Sequence, residues 1–134
     1  MLTIHSGSDG TALVVDGGLL AGVGPLGVLR AAHPGARVRS WPGVLRPGLT
    51  HEGELPTAPT PRERVHALLL RGVTAVATAP AEPALRSALD RSGLLPARRA
   101  ALLEPGARAD FAVFDEQGRC LATVVAGRLL HRRA

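Results

Sequence analysis

Hydrophobic and polar positions follow a two-residue period at both ends of this chain and a helical period in its middle. Leu2 to His5 alternates and reads as a short strand. A dense turn signal, Ser6-Gly-Ser-Asp-Gly10, separates it from a β-rich run, Thr11 to Asp16. Gly17-Gly18 then predicts a tight hairpin, with Leu19 to Val23 returning as the paired strand. Pro25 to Ala32 fits one or two turns of helix carrying Leu26, Val28 and Leu29, stopped by Pro34-Gly35. Ala36 to Trp41 alternates again, with Ala36, Val38 and Ser40 on one face. The Pro- and Gly-rich stretch from Pro42 to Pro61 is expected to be an irregular connection with little regular pairing.

Thr60-Pro-Arg-Glu63 opens the helical middle. It offers a hydroxyl cap, a proline in the first turn and a glutamate at the third helical position. The helix that follows puts Val65, Leu68 and Leu69 on its apolar face and ends at Gly72. Val73 to Thr78 reads as a strand, and its apolar character predicts an open edge for pairing with another chain. Glu82 to Arg91 is a second helix, with Leu85, Ala88 and Leu89 facing inward, and Leu94 to Arg108 is a mixed connection. Asp110 to Asp115 is a strand with Phe111 and Val113 on one face and Ala112 and Phe114 on the other. Glu116-Gln-Gly118 turns it into Arg119 to Ala126, and Leu129 to His131 follows as a last strand. The expected fold is α+β: a small β-sandwich or barrel-like sheet formed by both termini, with a helix–strand–helix insert. Val14, Leu20, Val113 and Val125 are the expected shared core.

Composition narrows the function classes. The chain has 134 residues, near the common size of a single domain, with 46% apolar residues but only 2% aromatics. The core must be built from Leu, Val and Ala, and few rings remain for stacking bases. The formal charge is +5, and all 16 basic residues are arginines. Arginine without lysine fits a GC-rich coding sequence, and the arginines are scattered, the densest groups being Arg98-Arg99 and Arg128 with Arg132-Arg133. That reading goes against a nucleic-acid binder. The single cysteine, Cys120, excludes an internal disulfide, and its strand setting predicts a buried, inert thiol. No signal-peptide pattern and no apolar run of membrane-spanning length is present, so the expected location is the cytoplasm, with no membrane partner.

Four motifs occur in a fixed order. They are Gly17-Gly18 through Val23-Gly24, Pro47-Gly48-Leu49, Leu70-Arg-Gly-Val-Thr74, and Pro105-Gly-Ala-Arg-Ala-Asp-Phe-Ala-Val-Phe-Asp115. In this order they resemble the composite β-domain of the amidohydrolase superfamily, closest to imidazolonepropionase-like and aminodeoxyfutalosine-deaminase-like enzymes. The resemblance implies β flanks at 1–49 and 104–134 and a barrel remnant at 60–93 within one composite domain. It also implies that most of a metal-binding barrel is missing. About fifty-five residues lie between the flanks, whereas a full (β/α)₈ barrel takes roughly 250. In the last motif, Asp110 is expected to bind backbone amides rather than to act as an acid or base.

The resemblance also implies a His-x-His metal pair just after Pro47-Gly48-Leu49, and here those positions fall on Gly53 and Leu55. The bridging lysine or glutamate, further histidines and catalytic aspartate of such enzymes would come from the missing strands, and the chain has no lysine. His51, Glu52 and Glu54 are the candidate metal ligands, with zinc as the cofactor they would hold. A zinc site needs more donors than this loop offers, so the expectation is no catalytic residue, no cofactor and no metal. His5 and His33 are expected on the surface, His66 beside the apolar stripe of its helix, and His131 in a polar tail. The expected role is a non-catalytic binding or interaction module, working as a homodimer or with a partner enzyme. The alternative is a carbon–nitrogen bond hydrolase whose site is completed by another subunit.

Overall fold

The structure, a computed structural model, describes residues 2–96 and 101–133; the expected Arg98-Arg99 charge group lies outside them. In chain order the elements are β1 (Leu2–Ser6), β2 (Thr11–Asp16), β3 (Leu19–Pro25), α1 (Leu26–Ala32), β4 (Arg37–Ser40), β5 (Val44–Pro47) and β6 (Leu49–His51). They continue as α2 (Pro61–Leu69), β7 (Val73–Val76), α3 (Pro83–Ser92), β8 (Leu95–Pro96), β9 (Phe111–Phe114), β10 (Cys120–Val125) and β11 (Arg128–Arg132). The class is α+β, as the pattern predicts.

Two four-stranded sheets face each other. The first has the order β3-β2-β1-β4, with β1 and β4 parallel, and the second the order β11-β10-β9-β5, antiparallel throughout. Between them Leu13, Val15, Leu20, Trp41, Leu45, Phe111, Val113 and Val124 make one apolar cluster. The second sheet joins both flanks directly, because β5 pairs with β9 from Val44↔Phe114 to Pro47↔Phe111. Pro42 to Pro61 is therefore more ordered than expected, since it contains β5 and β6. Pro47 is compatible with β5 because β5 is an edge strand and the proline sits at its end, where a missing N–H costs little.

The expected shared core needs one correction. Leu20 and Val113 face the space between the sheets, but Val14 packs with Ile4, Ala12 and Leu29 beneath α1, and Val125 packs on the helical unit. Both central strands are covered on both sides, so adjacent residues such as Leu13 and Val14 are equally buried while pointing opposite ways.

The insert between β5 and β9 is a parallel three-stranded sheet, β6-β7-β8, connected through α2 and α3. The cap of α2 forms as its sequence predicts: Thr60 Oγ1 accepts the Glu63 N–H at 3.2 Å and donates to Glu63 Oε1 at 3.0 Å. Val65, Leu68, Leu69, Leu85, Ala88 and Leu89 join Val73 and Val76 in a second core. The expected open edge at β7 is corrected here: β7 is the central strand, buried at all four positions and paired on both sides. Among the described residues, the strands at the edges are β6 and β8. A buried bond ties this unit to the sandwich, Thr123 Oγ1 of β10 donating to the Leu69 carbonyl at 2.6 Å.

The segment after Pro105 locks the two flanks together. The Gly106 N–H donates to the Leu20 carbonyl and the Leu20 N–H to the Ala107 carbonyl, both at 2.8 Å. The Ala109 N–H reaches the Gly18 carbonyl at 2.8 Å, and the Ala109 carbonyl accepts from Gly127 at 2.9 Å. Asp110 accepts the Ala126 N–H at 2.8 Å and pairs with Arg108 at 2.8 Å. This is the backbone role expected of Asp110, and it gives the Pro-Gly-x-x-Ala-Asp motif its physical content.

Candidate functional site

Parallel strands deliver their following loops to one end, where α/β sheets commonly bind ligands. At that end of β6 and β7 lies a cavity of about 670 Å³, lined among others by Glu54, Leu55, Arg64, Thr78 and Glu82. Its wall is the loop after β6, pinned by two side chains. His51 Nε2 lies 2.7 Å from the Glu54 carbonyl, to which a ring N–H donates. Arg64, projecting from α2, donates from Nε to the Pro56 carbonyl at 2.9 Å and from Nη2 to the Leu55 carbonyl at 3.0 Å.

The loop brings few metal-donor atoms together. One nitrogen of His51 is engaged with the backbone, and the carboxylates of Glu52 and Glu54 are exposed on a turn. Leu55, at a position where the resemblance implies a ligand, is buried in the helical core, and Gly53 offers no donor atom. Among the described residues no three His, Cys, Asp or Glu side chains come together as a metal-binding group.

The other candidates resolve individually. Cys120 is buried; its thiol contacts the Ala122 carbonyl and Thr123 Oγ1 at 3.3 Å, and burial pushes its pKa up, away from nucleophilic use. His66 is exposed rather than on the apolar stripe of α2. His131 is in β11, opposite Thr123, rather than in a tail; burial first lowers its pKa, a bond from its ring to the Cys120 backbone carbonyl raises it, and nearby His66 and Arg133 lower it further, the net shift being downward. His33 caps the C-terminus of α1 and is half-buried.

His5 is the largest departure from expectation. It lies in the middle of the sandwich, 5% exposed, because β4 pairs alongside β1 and Trp41 closes over it. Trp41 Nε1–H donates to His5 Nδ1 at 3.1 Å, which places the proton of the neutral ring on Nε2. Phe111 meets the imidazole edge-on at 5.0 Å. Burial, then the charges of Arg39 and Arg37, lower the His5 pKa to about 4.

A further groove of about 1040 Å³ runs between β5 and the turn after β9, lined by Val44, Arg46, Leu49, Phe114 and Arg119. Its Asp115 is committed to structure: it accepts the backbone N–H groups of Gln117 and Arg119 at 2.9 Å and pairs with the Arg119 side chain at 2.8 Å. These bonds, the Arg119 backbone first, hold its carboxyl below the usual range. Among the described residues no helix is long and apolar enough to cross a membrane.

No protein-family model matches the chain, and no curated protein matches it. Among solved structures, the crystal structure of guanine deaminase from Bradyrhizobium japonicum is similar to it, with a TM-score of 0.49 and 18% sequence identity. The match covers 63% of this chain and 27% of that one, so the chain spans about a quarter of that enzyme's length.

Proposed function

We propose that this chain is an amidohydrolase-type composite β-domain that acts as a non-catalytic interaction module. The observation that carries the reading is the place of the parallel unit. The unit β6–α2–β7–α3–β8 is inserted between β5 and β9, which are neighbours in one sheet. A strand–helix–strand–helix–strand segment at that point is what the resemblance implies for the start of a barrel. The order of the four motifs and the backbone lock around Ala109 support the same reading.

A barrel has no edges, whereas among the described residues this short sheet has β6 and β8 at its edges. Exposed strand edges favour pairing with another chain. Leu49 on β6 and Leu70 just beyond α2 are each 46% exposed on this unit. A second copy of the chain, adding to the β6 side, is the occupant we favour. Light scattering at micromolar concentration is expected to give a dimer mass that falls on dilution, and Leu49→Glu should shift it toward monomer. A monomer mass unchanged across concentration would remove the homodimer and leave a partner enzyme as the form of the proposal.

The competing reading, a carbon–nitrogen bond hydrolase completed by another subunit, has His51 as its main candidate. Metal analysis after purification without chelator separates the two. The module is expected to carry well under one zinc per chain, with His51→Ala making no difference. Stoichiometric zinc that disappears in His51→Ala would establish the metal site and overturn the non-catalytic assignment.

A further inference from the structure

The edge strands of the two sheets bring three guanidinium groups to one side of the sandwich. Arg37 and Arg39 are two apart on β4, so they share a face. They stand beside Thr3 and His5 of β1, and His5 in turn pairs with Leu13, whose side chain faces the space between the sheets. Arg132 comes from the opposite sheet. It stands on β11 across from Ala122, which faces the same inner space. The two edges therefore aim these arginines toward each other.

Trp41 is the floor on which two of them, Arg39 and Arg132, meet. The Arg39 guanidinium carbon lies 5.1 Å from the indole centroid and that of Arg132 5.9 Å. The ring itself is held from below by His5 and from its own backbone, the Trp41 N–H donating to the Ser6 carbonyl at 2.9 Å. Ring contact offsets part of the repulsion between like charges. No carboxylate offsets the rest: among the described residues the ion pairs are Arg108–Asp110 and Arg119–Asp115, on other parts of the molecule. Burial, then the charges of Arg132 and Arg37, pull Arg39 below the ordinary guanidinium range.

We propose that Arg37, Arg39 and Arg132 form a binding site for the phosphate group of a small phosphorylated ligand. Planar guanidinium forks match phosphate oxygens with paired donors, and converging cations are relieved more by a dianion than by a single carboxylate charge. The site is built rather than incidental, because two of its three cations are placed against a fixed ring. Nucleic acid fits it less well. A base needs an open aromatic face, and Trp41 is only 8% exposed beneath the arginines.

Trp41 is the chain's one tryptophan, so its fluorescence reports this site alone. The intact chain is titrated with inorganic phosphate and with glycerol 3-phosphate, with acetate as the carboxylate comparison, and heat is followed by calorimetry in parallel. Saturable binding of the phosphates below ~10 mM is expected, with acetate at least several-fold weaker. Arg37→Gln, Arg39→Gln and Arg132→Gln should each weaken binding about tenfold or more. Arg37→Gln is the key variant should the other two disturb the core, because neither ring contact involves Arg37. Arg30→Gln, on α1 at the outer face of the first sheet, makes the same charge change and should leave binding unaltered. Silence in both readouts, or equal weakening by Arg30→Gln, would overturn the proposal. So would a single-stranded oligonucleotide that binds through the same arginines more tightly than glycerol 3-phosphate.

Discussion

Replacing Gly127 with alanine is expected to destabilise the protein by about 3 kcal/mol or more. Gly127 and Ala126 form the turn between β10 and β11, and both have positive φ, +79° and +49°. Such a pair is what a two-residue hairpin turn requires. A Cβ on Gly127 would run into the carbonyl oxygen of Gly17, in the turn of the other hairpin. Because that obstacle is backbone, no rotamer change relieves it. The two turns are also joined through Ala109, which bonds to both Gly18 and Gly127. Separating them would open the junction between the two flanks. Ala126→Gly is the matched comparison. It removes an unfavourable left-handed alanine and is expected to be neutral or stabilising by up to about 1 kcal/mol. Urea denaturation of both variants tests this, and a Gly127→Ala protein within 0.5 kcal/mol of wild type, roughly the range of ordinary surface changes, would show that the turns are not in contact.

Acidification should cost stability through His5. Its pKa falls from 6.5 in the unfolded chain to about 4 in the folded one, because burial and then Arg39 and Arg37 disfavour the charged ring. Above pH 6.5 the ring is neutral in both states and contributes no pH dependence. Between pH 6.5 and about 4 the unfolded chain binds a proton that the folded chain does not, so stability falls as pH falls. Below about pH 4 both states are protonated and the loss levels off. The displacement corresponds to about 3 kcal/mol in total. His5→Gln keeps an acceptor for the Trp41 N–H and removes the titration. The difference in unfolding free energy between wild type and this variant, followed from pH 7 to pH 4, isolates His5 from His131 and the carboxylates. Parallel curves for the two proteins would rule out the buried neutral imidazole.

The site itself was only partly legible in the sequence. The loop carrying His51, Glu52 and Glu54 could be singled out, because His and carboxylates close in sequence are recognisable. Its surroundings could not, since the bond from His51 to the Glu54 carbonyl and the burial of Leu55 in a core built from α2 and α3 exist only in the folded chain. The Arg37, Arg39 and Arg132 cluster gave no local signal. Arg37 and Arg39 are two residues apart on β4, but Arg132 lies more than ninety residues later and meets them only because β4 and β11 are the outer strands of facing sheets.

By itself the sequence determined what depends on neighbouring residues. The Gly17-Gly18 hairpin, the Thr60–Glu63 cap and the backbone role of Asp110 are all settled within a few positions or by side-chain chemistry. Tertiary structure decided which face of each strand is which. In Leu13-Val-Val15 every residue is buried, so alternation carries no record of direction, and only α1 on one side and the second sheet on the other separate Val14 from its neighbours. It also decided the fate of His5. A histidine beside a turn reads as exposed until a parallel strand from thirty-odd residues later, with Trp41 at its end, closes over it and removes the water that would charge it.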